Sequence, residues 1–103
     1  MLELRPNCEL CDKDLPPQAL EARICSYECT YCADCVEKLC NVCPTCGGGF
    51  APRPIRPQAA YRADLKLGLG NQPAGTKRYQ SKFTSEDIAA HVARIKEIPP
   101  ERR

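Results

Sequence analysis

The sequence predicts a small metal-stabilised domain with two four-cysteine zinc sites, followed by an extended tail and a C-terminal α-helix. Three observations predict it. Nine cysteines fall in 103 residues, and seven of them lie between Cys25 and Cys46. The chain has no Trp and only two Phe, so its first half is too short and too poor in large apolar side chains to bury a stabilising core unaided. A proline- and glycine-containing stretch then separates that half from a run of helical periodicity near the end. At this length the chain forms at most one ordinary domain.

The cysteines need a crosslink, and its nature follows from the compartment. The opening residues, MLELRPNCEL, contain no apolar run and read as neither a signal peptide nor a membrane span. A cytoplasmic chain is expected, and there thiols stay reduced and a cysteine pattern points to metal rather than to disulfides. Nine is also an odd number, which would strand one thiol in a disulfide framework.

Zinc takes four soft ligands in a tetrahedron, and a Cys-x-x-Cys turn supplies two at once while its backbone N–H groups point at the sulfurs. CPTCGG, from Cys43 to Gly48, has proline inside the turn and glycine after it, where a positive φ is often needed. CELC and CADC are further pairs. In order the steps are C-x2-C-x13-C-x3-C-x2-C-x2-C-x7-C-x2-C, through Cys8, Cys11, Cys25, Cys29, Cys32, Cys35, Cys43 and Cys46. Eight ligands make two sites and call for two zinc ions. Closed four-cysteine sites are structural, because catalytic zinc keeps a vacancy for water. No glycine-rich phosphate loop or suggestive carboxylate pair accompanies them, so no enzyme and no small-molecule substrate are expected.

This order of steps resembles a RING finger, with cysteine where most RING domains carry histidine, Leu10 inside the first knuckle and Pro44 inside the last. The resemblance implies a cross-brace: Cys8, Cys11, Cys32 and Cys35 on one ion, and Cys25, Cys29, Cys43 and Cys46 on the other. Interleaving of that kind ties distant segments together without a large core. From MLELRPNCELCDKDLPP through ARICSYECTYCADC to NVCPTCGGGFAPRPIRP, the chain is similar to the bacterial family catalogued as domain of unknown function 1272. That likeness covers about residues 1–57, with HVARIKEIPPERR also resembling its longer members. It implies a small RING-like zinc-binding protein and supplies no reaction. Two departures argue against a ubiquitin ligase. Gly47 stands where a basic or polar linchpin is usual, and seven residues between Cys35 and Cys43 leave little room for a partner-binding helix and groove.

Cys40 is left over. It begins a second C-x2-C-x2-C triplet that echoes Cys29, Cys32 and Cys35, an arrangement near that of bacterial ferredoxins. The next step fails, since Cys35 to Cys40 is x4 and Asn41 follows. Iron–sulfur is therefore the alternative to zinc, and electron transfer the function that would go with it. Cys40 itself reads as a spare thiol. The lone histidine, His91, reads as structural or solvated rather than as a ligand.

The organisation is a zinc-binding head over 1–49, a Pro/Gly-containing basic linker over 50–82 and an amphipathic helix with its tail over 83–103. Charge divides with it: the head carries a formal −4 and residues 50–103 a formal +6. In the linker, Pro52, Pro54 and Pro57 stiffen the chain. The rest is irregular or mobile in composition, with ADLKLGL its single candidate for a short helix. In FTSEDIAAHVARIKEIPP, Thr84 fits an N-cap and Phe83 with Ile88 a hydrophobic staple. Ile88, Val92 and Ile95 recur at helical spacing, and Pro99-Pro100 stops the run, giving a helix from about Ser85 to Glu97. It packs either on its own head or on a partner. The expected function is protein–protein contact with a partner the sequence does not identify. The alternative is nucleic-acid binding through Arg53, Arg56, Arg62, Lys66, Lys77, Arg78 and Lys82, with Tyr61 and Tyr79 interleaved.

Overall fold

A computed structural model describes all residues, Met1–Arg103. Its sheet has three short strands, β1 (Ala22–Ile24), β2 (Thr30–Cys32) and β3 (Ala51–Pro52), in the order β2-β1-β3 and antiparallel throughout. Ala22 faces Cys32 and Ile24 faces Thr30 across one side of β1, and Ile24 faces Ala51 across the other. Pro52 lacks an N–H and is tolerated because β3 is an edge strand. It also places the third strand beyond residue 49, so the sheet draws on the start of the linker.

Helix α1 (Ala33–Lys38) follows β2 without a loop and has only six residues, the length that seven positions between Cys35 and Cys43 permit. Leu15, Ala22, Tyr31, Leu39 and Val42 are buried around the cysteines, and Tyr31 meets Phe50 edge-to-face at 5.3 Å. Helix α2 (Ser85–Ile95) begins as expected, with Thr84 Oγ1 accepting from the Asp87 N–H at 3.1 Å. Ile88 and Val92 enter the same core as Leu39 and Val42. The helix thus packs on its own head.

Residues 57–72 correct one expectation. ADLKLGL is not helical: the stretch is a surface loop of turns, closed where the Leu69 N–H donates to the Pro57 carbonyl at 2.9 Å. Gly68, at φ +87°, turns it so tightly that a Cβ there would stand 2.8 Å from the Ala59 backbone. Intrinsic helix preference loses because Gly68 and Gly70 sit where the last turn would form.

The remainder of the linker is irregular in backbone but fixed to the head. Arg53 is buried, and its guanidinium donates to the carbonyls of Arg5, Leu15 and Pro16 at 2.8, 3.1 and 2.9 Å. Arg56 donates to the carbonyls of Leu2 and Gln72. Residues 75–81 then run back across the N-terminal segment as a strap: Gly75 N–H to Leu4, Tyr79 N–H to the Asn7 side chain, and Ser81 N–H to Glu9. Arg78 pairs with Asp12 and Asp14 at 2.9 and 2.8 Å. The basic half is folded onto the acidic half. The molecule measures 49 × 27 × 18 Å, with a radius of gyration of 15.0 Å.

Candidate metal centres

Two of the cysteine pairs are built alike. In the first knuckle the Cys8 N–H donates to the Lys13 carbonyl at 2.8 Å and the Asp12 N–H to the Cys8 carbonyl at 2.9 Å. In the last, the Cys43 N–H donates to Gly48 at 2.8 Å and the Gly47 N–H to Cys43 at 2.9 Å. Both need a left-handed residue directly after the second cysteine. Gly47 takes φ +79° without a Cβ to object, whereas Asp12 takes φ 64° with its carboxylate accepting from the Asn7 side chain at 2.9 Å. The Cys25–Cys29 pair has one residue more and turns differently: Cys25 N–H reaches Cys29 at 3.1 Å, and Glu28 supplies the left-handed residue at φ 69°. The remaining pair needs no turn of its own, because Cys32 ends β2 and Cys35 lies in the first turn of α1.

The fold brings these pairs together crosswise. The thiols of Cys8, Cys11, Cys32 and Cys35 all lie within 4.8 Å of one another, with Cys11 and Cys32 Sγ 3.8 Å apart. Four thiolates about 2.3 Å from a central zinc-sized ion sit about 3.8 Å from each other, the separation found between Cys11 and Cys32. Cys25, Cys43 and Cys46 form the second group at the same spacing. Cys29 completes it from the side: its sulfur lies against those of Cys43 and Cys25 without coming within 4.8 Å of all three. First pair with third, second with fourth, is the interleaved order. Cys40 is exposed and belongs to neither cluster.

Electrostatics make the crowding costly for protons alone. Burial pushes the Cys8 and Cys35 thiols up, and takes Cys25 up to about 11. Cys43 donates toward Cys29, which raises Cys43 and brings Cys29 down to about 6. Backbone N–H groups supply part of the compensation, as at Cys25, where Tyr27 N–H donates to Sγ at 3.3 Å, and at Cys46, where Gly48 N–H does the same at 3.3 Å. A divalent cation would stabilise every thiolate in such a cluster together. The donor set and its spacing fit a metal ion at both places.

Residues that the motif reading passed over hold the clusters in place. Glu9, inside the first knuckle, is buried; it exchanges backbone and side-chain bonds with Thr30 of β2, and Arg5 balances its charge at 2.9 Å. Its position between two cysteines was the available signal. His91 stands with Nε2 2.9 Å from the Cys43 carbonyl, and Arg103 donates to the carbonyls of Asn41 and Gly47 at 2.7 and 3.3 Å. No sequence signal marks these long-range pairs. Of the two roles the sequence leaves open for it, structural or solvated, the histidine takes a contact to the last knuckle.

Over residues 1–56 the sequence matches the family described as protein of unknown function (DUF1272). The chain belongs to that family. The DUF1272 match spans all eight cysteines of the two clusters and ends just past β3. An uncharacterized protein of Rhizobium meliloti (strain 1021) is 51% identical to this DUF1272 member over 79 residues, 76% of this chain and 84% of the relative. That likeness therefore reaches beyond the residues the family covers. No solved structure matches the chain.

Proposed function

We propose that this protein is a RING-like module holding two structural zinc ions, which acts in the cytoplasm through contact with a partner protein and catalyses no reaction of its own. The observation that carries the reading is the first cluster, four thiols all within 4.8 Å of one another, enough sulfur donors to fill a tetrahedral zinc site. Zinc suits such an all-sulfur set. An iron–sulfur cluster places several irons and sulfides between its thiolates and holds them farther apart, so the close spacing favours a single ion at each site.

Nucleic-acid binding is the weaker reading. Of the cations it relied on, Arg53 and Arg56 are committed to backbone carbonyls and Arg78 to two carboxylates. Tyr79 carries Arg5 and Lys77 over its ring and donates its hydroxyl to Glu3 at 2.6 Å. Groups so engaged are withdrawn from phosphates and bases.

Elemental analysis tests the metal. Purified protein should be colourless and hold about two zinc ions per chain, four ligands to each. Brown protein containing iron and sulfide would overturn the proposal. Loss of binding to single-stranded oligonucleotides at every salt concentration tried would retire the weaker reading.

A further inference from the structure

Each cluster has one thiol that solvent reaches, Cys11 in the first and Cys46 in the second. Both belong to the similarly built knuckles, and a different part of the C-terminal half grips each of those knuckles. Over the first, Arg78 Nη2 donates to the Asp12 carbonyl at 2.8 Å as well as to its carboxylate. Beside it the Asn7 side chain joins the Cys8 carbonyl at 3.1 Å to the Tyr79 carbonyl at 2.8 Å. Over the last lies α2. His91 bonds the Cys43 carbonyl, Arg103 bonds the Gly47 carbonyl, and a Cβ on Gly47 would stand 3.2 Å from Ile95 Cδ1. The two sets of contacts share no residue.

A metal ion leaves a closed four-thiolate site only after one thiolate swings away. The exposed thiolate is the one with room to do so, and it moves only with its knuckle. Hydrogen bonds to the backbone that carries the ligand therefore restrain the step that frees the ion. We infer that the C-terminal half carries two independent latches, the strap at Arg78 and the α2–Arg103 clasp, each setting the rate at which its own cluster gives up metal. This rests on the reading that both clusters bind a divalent ion.

The full chain loaded with cadmium-113 provides the test, because two all-sulfur sites give two NMR signals whose decay in excess EDTA is followed separately. If no cadmium is taken up, the metal-binding reading itself fails. With both signals present, His91→Ala and Arg103→Ala should each speed the decay of the second-site signal roughly tenfold, the lower range for losing an outer partner of a metal ligand. The first-site signal should keep its rate. Arg78→Ala, which removes a more exposed contact, should do the reverse by a few-fold. His91→Gln keeps an N–H donor within reach and should recover most of the wild-type rate. Equal acceleration of both signals by either set, or no change in any variant, would overturn the two-latch inference.

Discussion

The two metal centres draw on the same eight-thiol pattern and arrive at different degrees of completion. In the first, all four sulfurs stand within 4.8 Å of each other. In the second, three do, and Cys29 lies beyond that distance from at least one of them. The difference traces to one residue. Cys8-x2-Cys11 closes the same hydrogen-bonded turn as Cys43-x2-Cys46, whereas Cys25-x3-Cys29 has a longer spacer, closes through a 3.1 Å bond from the Cys25 N–H to the Cys29 carbonyl, and passes through Glu28 at φ 69°. A two-residue spacer sets both sulfurs by backbone geometry alone. With three, the spacer leaves Cys29 outside the tight group, and it would complete a four-sulfur site if it closed on the other three.

The largest test of that comparison removes metal altogether. Structural zinc in finger peptides is worth roughly 10 kcal/mol or more at neutral pH. A strong chelator should therefore collapse the NMR dispersion of residues 1–49, and Cys43→Ser should do nearly the same. Retained dispersion after full demetallation would mean the small apolar core suffices.

A sharper test compares ligands between sites. Cys35→Ser should lower cadmium stoichiometry by one and abolish the first-site signal. Cys29→Ser should weaken the second site by a smaller factor, since three thiols are already placed around it. Cys40→Ser should change neither stoichiometry nor stability by more than about 0.5 kcal/mol, as for an exposed position outside any special contact. If Cys29→Ser behaves like Cys40→Ser, the second site is a three-cysteine site.

The smallest expected effect lies on the strap beside the first centre. The Tyr79 hydroxyl and the Arg5 guanidinium hold the Glu3 carboxyl below its ordinary value. A depressed carboxylate contributes stability that is present above about 4.3, the usual Glu value, and lost as pH falls through the lower folded pKa. In metal-loaded protein, Tyr79→Phe should move the Glu3 titration back up, read by carbon-13 NMR of its carboxyl. An unmoved titration would show that the cations Arg5 and Lys77 set it without the hydroxyl.

How much of this the sequence carried depends on the range of the interaction. Cysteine spacing, the Thr84 cap and the Ile88–Val92 stripe are local or periodic: spacing picks out the eight thiols, and cap and stripe place α2 to within two residues, whereas the division of the thiols into two clusters comes from the RING resemblance. The basic linker is irregular, one of the two states its composition allows, but its attachment to the head is not legible, because composition reports what a segment lacks, here apolar residues, and not where its donors go. Arg53 counted as a solvent-facing cation and is instead buried against three carbonyls. Only the folded path of the first sixteen residues creates that site, and no neighbouring residue announces it.

The elongated outline of the molecule has a bearing on how the protein will behave in solution. A 100-residue globule has a radius of gyration of about 13 Å; this chain has 15.0 Å and is nearly three times as long as it is thick. Such a shape diffuses and tumbles more slowly than its mass implies. On a sizing column calibrated with round proteins, a monomer of 11.4 kDa should elute early, at an apparent mass between those of a monomer and a dimer. Its association state is better read from sedimentation equilibrium or light scattering, which weigh the particle regardless of outline.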